Sequence, residues 1–96
     1  IPIPGGARLT IRGWVRGDNA GTFRLTTRIY EADGTVLSTV DRLTRSGGTY
    51  GWTPFSVDLV APSGAGDLRI YFKQSPPGSG EGRVFVDDVS VILWEG

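Results

Sequence analysis

The chain has 96 residues, of which 39% are hydrophobic and 21% charged, and its formal net charge is zero. This length is enough for one small domain with a modest core, and the neutral balance gives no general attraction to nucleic acid or to an anionic membrane. Cysteine and histidine are both absent, which excludes disulfides, zinc clusters, thiol nucleophiles and histidine bases from the chain. The apolar run at residues 91–94 is far too short to span a bilayer.

Glycine and proline punctuate short runs rich in β-branched and aromatic residues, a pattern typical of an all-β sandwich or barrel. In chain order, the predicted strands cover residues 8–16, 22–31, 35–40, 53–60, 67–74 and 83–93. A turn is expected at 17–21, a tight hairpin at Asp33-Gly34, a polar loop at 41–51 and a flexible loop at 75–82. Residues 1–96 show neither a linker nor a repeat, so a single domain is predicted. Because the sequence begins Ile-Pro-Ile-Pro without a Met, we expect it to be a processed product or an excised piece of a larger protein.

Two-residue alternation sorts the side chains of these strands onto two faces. The apolar face is predicted to be the core, and it contains Leu9, Ile11, Val15, Phe23, Leu25, Ile29, Phe55, Val57, Leu59, Leu68, Ile70 and Phe72. The opposite face is rich in cations and aromatic rings, and its members are expected to lie together: Arg12, Trp14, Arg24, Arg28, Tyr30, Arg69, Tyr71 and Lys73. Aromatic rings match the flat C–H patches of sugars, and planar guanidinium donors match sugar hydroxyls or a uronate carboxylate.

This cationic and aromatic face has three interpretations at the level of the sequence. As a sugar surface, Trp14 and Tyr71 would be stacking platforms with nearby basic residues as hydrogen-bond donors. As an ordinary solvated face, its arginines would pair with Asp58 or Glu31 across strands. As a docking face, it would pack on a neighbouring domain.

Four segments follow one another in an informative order: PGGARLTIRGWVRG, IYEADGTVLS, GTYGWTPFSVDLVAPSGAGDLRIYF and RVFVDDVSV. In order and spacing they resemble the carbohydrate-binding modules of families 4, 9, 16 and 22, within the galactose-binding-domain-like group. The resemblance implies a jelly-roll β-sandwich and a non-catalytic accessory module that attaches a larger extracellular or cell-surface protein to a polysaccharide or glycan. Members of these families usually begin with one or two further strands, often with an Asn-Pro-x-Phe-Glu-like stretch, which this sequence does not match.

Asp87 and Asp88 interrupt the last predicted strand. Adjacent side chains of a regular strand face opposite sides, so the two carboxylates are not expected to act together as an acid and base on one substrate. The resemblance implies that Asp87 helps to hold a structural calcium ion, and no other cofactor is expected. The other interpretation is structural, with one Asp bonded to loop amides or to an Arg and the other solvated.

Further polar and aromatic residues lie near the ends of strands. Trp52 is predicted to pack beneath the preceding loop, as its equivalent does in the resembled modules, whereas Tyr50 is predicted to be exposed and to line a site at the loop edge. Asn19 and Gln74 belong to the same candidate end of the molecule. Trp94 is predicted to mark the domain boundary or to contact the next domain.

The sequence therefore predicts a carbohydrate-binding module with polysaccharide or glycan and neighbouring domains as partners. Its candidate ligand residues are Arg12, Trp14, Arg28, Tyr30, Tyr50, Arg69, Tyr71 and Lys73. The alternative is a structural or interaction domain that spaces or docks its neighbours without binding sugar. Single-stranded nucleic acid also suits arginine with aromatics, but the zero net charge argues against it, and no membrane insertion is expected. The lack of His, Cys and a facing carboxylate pair argues against an enzyme.

Overall fold

The structure, a computed structural model, describes residues 1–94. Six strands account for most of them: β1 Arg8–Ala20, β2 Phe23–Glu31, β3 Val36–Arg45, β4 Gly48–Val60, β5 Ala65–Gln74 and β6 Arg83–Trp94. The described part of the chain contains no helix that is long and apolar enough to cross a membrane. The prediction of an all-β protein is confirmed.

The strands form two antiparallel three-stranded sheets, with the orders β4-β1-β6 and β3-β2-β5. The apolar faces of the two sheets share one core. Three rings connect the layers: Phe23 stacks on Phe72 with a centroid distance of 6.1 Å, and Phe55 of the other sheet lies 6.5 Å and 6.2 Å from them. Most of the predicted core is buried, although Phe72 at the β5 edge remains 39% exposed.

The strand boundaries show where local composition misleads. The hairpin at Asp33-Gly34 is confirmed, because Gly34 has φ 94° and its N–H donates to the carbonyl oxygen of Glu31 at 3.0 Å. The predicted turn at 17–21 is instead mostly strand, and β3 and β4 occupy all of the predicted polar loop 41–51 except residues 46–47. Glycine and threonine made these stretches look like loops, but cross-strand pairing outweighs their weak local preference.

Gly21 lies between β1 and β2, against the β5–β6 loop. A Cβ at this position would collide with the carbonyl oxygen of Ser75, which is part of the backbone and cannot rotate away. We expect Gly21→Ala to lower the free energy of unfolding by about 2 kcal/mol or more, measured by chemical denaturation. Gly51→Ala is the matched control, because a Cβ there meets nothing within 4 Å. Equal stability of the two variants would contradict this close approach.

Candidate functional site

The predicted ligand face is divided between the two sheets. Arg12 and Trp14 lie on β1, in the sheet β4-β1-β6. The other six residues of the predicted face lie on β2 and β5, in the sheet β3-β2-β5. They are Arg24, Arg28, Tyr30, Arg69, Tyr71 and Lys73. Since the sheets pack through their apolar faces, their outer faces point in opposite directions. The prediction that these residues lie together is therefore wrong, because alternation gives the face of a strand but not the sheet that the strand joins.

The outer surface of β4-β1-β6 carries an exposed aromatic and acidic group that we call the tryptophan face. Its members are Trp14, Arg16, Trp52, Phe85, Asp87 and Asp88. Trp14 and Trp52 are 43% and 47% exposed, and with both aspartates they line a shallow, open depression of about 310 Å³. A second depression shares Trp14 and Asp88 and extends the surface toward Arg12, Ser56 and Ser90.

Arg16 positions the aromatic side chains beside this depression. It pairs with Phe85 in the β1–β6 register, and its Cζ lies 4.3 Å from the centroid of that ring. The same Cζ lies 5.5 Å from the ring of Trp52. Cation–π contacts of this kind restrict the motion of the rings before a ligand arrives, which reduces the entropy lost on binding.

An irregularity in β6 brings both carboxylate residues to the same depression. The β1–β6 register shifts between Arg12 and Trp14, and Asp88 has φ 51°. The N–H of Asp88 donates to Oδ1 of Asp87 at 2.8 Å, which fastens the irregular segment. Bulges redirect side chains, so the expectation that adjacent residues face opposite sides of a regular strand does not hold here.

Asp87 and Asp88 do not by themselves form a calcium site. Calcium takes about six to eight oxygen ligands, and residues 1–94 contain no group of three or more acidic, His or Cys side chains placed to hold an ion. One oxygen of Asp87 already accepts a hydrogen bond from the backbone. The role of Asp87 in binding calcium stays a prediction from the family resemblance.

Tyr50 and Trp52 occupy the reverse of their predicted positions. A register shift between Val15 and Gly17 places Tyr50 opposite Gly17, where the missing side chain leaves room for the phenol ring. Arg45 covers that ring, with its Cζ 3.9 Å from the centroid, and the Tyr50 hydroxyl is buried without a hydrogen-bond partner among the described residues. Trp52 is the exposed member of the pair. Tyr50 is therefore partly buried, and its hydroxyl is not open to a ligand.

The amides at the loop end are engaged in structural contacts. Nδ2 of Asn19 donates to the carbonyl oxygens of Ser79 and Glu81 at 2.8 Å and 3.1 Å. Oε1 of Gln74 accepts from the N–H of Gly21 at 2.8 Å. These bonds attach the β5–β6 loop to the turn after β1, so the amides serve to hold the loop.

Trp94 is the last residue of β6 and is 56% exposed. Its Nε1 donates to Oγ1 of Thr10 at 2.8 Å, and that hydroxyl donates to Oδ1 of Asp58 at 2.6 Å. The chain of hydrogen bonds crosses all three strands of the sheet. A contact between Trp94 and a neighbouring domain stays a prediction.

The outer surface of β3-β2-β5 carries a second group, which we call the arginine face. Its members are Arg24, Arg28, Tyr30, Arg69, Tyr71 and Lys73. Cζ of Arg69 lies 4.9 Å from the Tyr30 ring, Cζ of Arg28 lies 5.6 Å from the Tyr71 ring, and Nζ of Lys73 lies 6.0 Å from the Tyr71 ring. Hydrogen bonding by Arg28 is the main cause that lowers the pKa of Tyr30.

Sequence reasoning missed four members of the tryptophan face. Two-residue alternation puts Arg16 on the same side of its strand as Trp14, and this is the signal in the sequence that could have found it. Phe85 gave the same kind of signal, because it alternates with Val84 and Val86, which pack against the core. Trp52 and Asp88 gave none, because their positions depend on register shifts. A scan against protein-family models and a search of curated proteins gave no match to this chain.

Asp88 has a left-handed backbone, which costs residues other than glycine about 1 kcal/mol. We expect Asp88→Gly to leave the free energy of unfolding unchanged or to raise it by up to about 1 kcal/mol. Ser90→Gly, two residues along the same strand, is the control and should lose stability, because glycine weakens an extended strand. Equal losses in the two variants, measured by chemical denaturation, would show that the Asp88 side chain stabilises the bulge.

The pKa of Tyr30 lies below its ordinary value of 10.0, mainly through hydrogen bonding by Arg28. Because the folded-state pKa is the lower one, ionised Tyr30 adds stability that is fully present above the ordinary pKa and is lost as the pH falls through the folded pKa. We expect Arg28→Gln to raise the Tyr30 pKa, measured by phenolate absorbance, with Tyr30→Phe assigning the transition. Arg83→Gln should leave the titration unchanged, and an unshifted curve for Arg28→Gln would contradict the interaction.

Proposed function

We propose that this chain is a non-catalytic carbohydrate-binding module of the jelly-roll, galactose-binding-domain-like type, attached to a larger protein that works outside the cell or on its surface. The observation that carries the proposal is the pair of half-exposed tryptophans, Trp14 and Trp52, beside Asp87 and Asp88 in an open depression. The family resemblance supports the same function independently of this geometry.

The tryptophan face offers the two kinds of contact that a sugar requires. Indole rings take the apolar C–H faces of a pyranose, and carboxylate oxygens accept hydrogen bonds from its hydroxyls. The second depression continues past Trp14 toward Ser56 and Ser90. Because both depressions are shallow, they suit a stretch within a polymer. Affinity for one short sugar would be weak, and attachment to a polymer would gain from several modules binding at once.

A non-catalytic role is supported by the residues of the site. The sequence has neither His nor Cys, so the usual general base and the usual thiol nucleophile are missing. Asp87 and Asp88 are direct neighbours in the chain, and the bulge seats them side by side. A glycosidase instead places its two carboxyl groups on either side of the scissile bond.

A docking or spacing domain is the second candidate, and the edge of β6 favours it. Within the described residues β6 pairs only with β1, so its outer edge is open. Val89, Leu93 and Trp94 on this strand are 42%, 48% and 56% exposed. An open apolar edge of this kind can accept a further strand or a neighbouring domain.

Binding to a panel of immobilised neutral and acidic polysaccharides tests the main proposal. We expect wild type to bind at least one neutral polysaccharide, and Trp14→Ala and Trp52→Ala to weaken that binding roughly tenfold each, which corresponds to about 1.4 kcal/mol. Affinity electrophoresis gives the dissociation constants, and an assay for new reducing ends should detect no cleavage of the bound polymer.

Trp94→Ala is the matched control, because it removes the same side chain from the same sheet. Trp94 pairs with Arg8, six residues before Trp14 on β1, which is about 20 Å along the strand. We expect this variant to retain binding. Failure of wild type to bind any polysaccharide, or equal binding by all three variants, would contradict the proposal, and the first result would favour the docking domain.

A further inference from the structure

Like charges stand directly opposite one another on the arginine face. The β2–β5 register pairs Arg24 with Lys73 and Arg28 with Arg69. Side chains paired in this way are about 5 Å apart at Cβ, and like charges at that separation destabilise a sheet. Two such pairs in a chain of zero net charge are a local cost that the surrounding side chains only partly offset.

The acidic side chains on this face only partly offset the four cations. Oδ2 of Asp41 lies 3.9 Å from Nε of Arg24, and Oδ2 of Asp67 lies 3.5 Å from Nε of Arg69. Both are exposed contacts of the weak surface type. Within residues 1–94, no carboxylate lies within ion-pair distance of Arg28 or Lys73.

Tyrosine rings contact three of the four cations. Arg69 is stacked over Tyr30, and both Arg28 and Lys73 lie over Tyr71. In addition, Nε of Arg28 donates to Oγ1 of Thr39 at 3.2 Å. A guanidinium held against a ring keeps its remaining N–H donors available in a fixed orientation, and this pre-organisation lowers the entropy cost of binding an anion.

We propose that the arginine face binds an anionic sugar polymer, which carries carboxylate or sulfate groups, at a surface separate from the tryptophan face. The two cation pairs are four residues apart along β2, or about 13 Å. A linear polymer lying along this strand would meet one pair at each end of that span. The choice of a saccharide rests on the proposed function, whereas the need for an anion rests on the charges alone.

The same geometry disfavours single-stranded nucleic acid as the ligand. Nucleic acid requires open aromatic faces on which bases stack, but cations already lie over the rings of Tyr30 and Tyr71. A saccharide needs no stacking at this face, because its anionic groups are recognised by the guanidinium forks.

Affinity electrophoresis at low salt in polygalacturonate, dextran sulfate and neutral dextran tests the proposal. We expect wild type to bind one or both anionic polymers and the Arg28→Gln/Arg69→Gln double variant to bind at least about tenfold more weakly. The ratio of the two affinities distinguishes carboxylate from sulfate. The matched control is Arg83→Gln, which removes one exposed guanidinium from β6 of the other sheet and should bind as wild type does.

Thermal unfolding provides a second readout for the double variant. The double variant loses the like-charged repulsion together with two cation–π contacts and the Arg28–Thr39 hydrogen bond, and because these effects oppose each other we expect little change in the melting temperature. Binding lost at an unchanged melting temperature is not caused by unfolding. The proposal is overturned if wild type binds neither anionic polymer, if the double variant binds them equally well, or if polyglutamate or single-stranded poly(dT) binds wild type as tightly. Trp14→Ala should retain anion binding, so a failure of the tryptophan face and a failure of the arginine face give different results.

Discussion

The layer of apolar side chains between the two sheets limits the surfaces that a ligand can reach. Phe23 and Phe72 from one sheet meet Phe55 from the other. Phe23 and Phe55 are buried, and each buried ring of this kind contributes about 1.5–3 kcal/mol. With three strands in each sheet, the inner faces are used up in forming this core. Any ligand must therefore meet an outer face, an edge or a loop, and the two outer faces point away from each other.

Local sequence was sufficient to predict the buried layer, from alternation, and the hairpin, from its Asp33-Gly34 turn, because both depend on neighbouring residues. It was not sufficient to group the outer residues. Trp14 and Tyr71 have the same position relative to the core, yet they lie on opposite surfaces, since β1 pairs with β4 and β6 whereas β5 pairs with β2. Which strands become neighbours is a non-local property that no short window of sequence contains.

Register shifts account for the other differences. One shift in β1–β4 turns Tyr50 inward beside Gly17 and leaves Trp52 outside. Another, in β1–β6, seats Asp87 and Asp88 at the same depression. An extra residue in one strand changes the face of everything beyond it, and it is set by the partner strand. Alternation therefore fails at the irregular positions, and in this molecule several candidate site residues lie there.

Each outer face contains a feature that lowers stability and that the fold does not explain. Asn19, with φ 47°, also has a left-handed backbone, but its amide holds the β5–β6 loop, so its structural role is evident. Asp88 has the same kind of backbone on the tryptophan face, and Arg28 stands opposite Arg69 on the arginine face. Residues that depart from the usual backbone or charge-pairing preferences, and whose departure no structural contact explains, are expected at functional sites. Both outer faces contain a residue of this kind, which argues that each face has a ligand of its own. One face carries aspartates and the other carries arginines, which argues that the two ligands differ in charge.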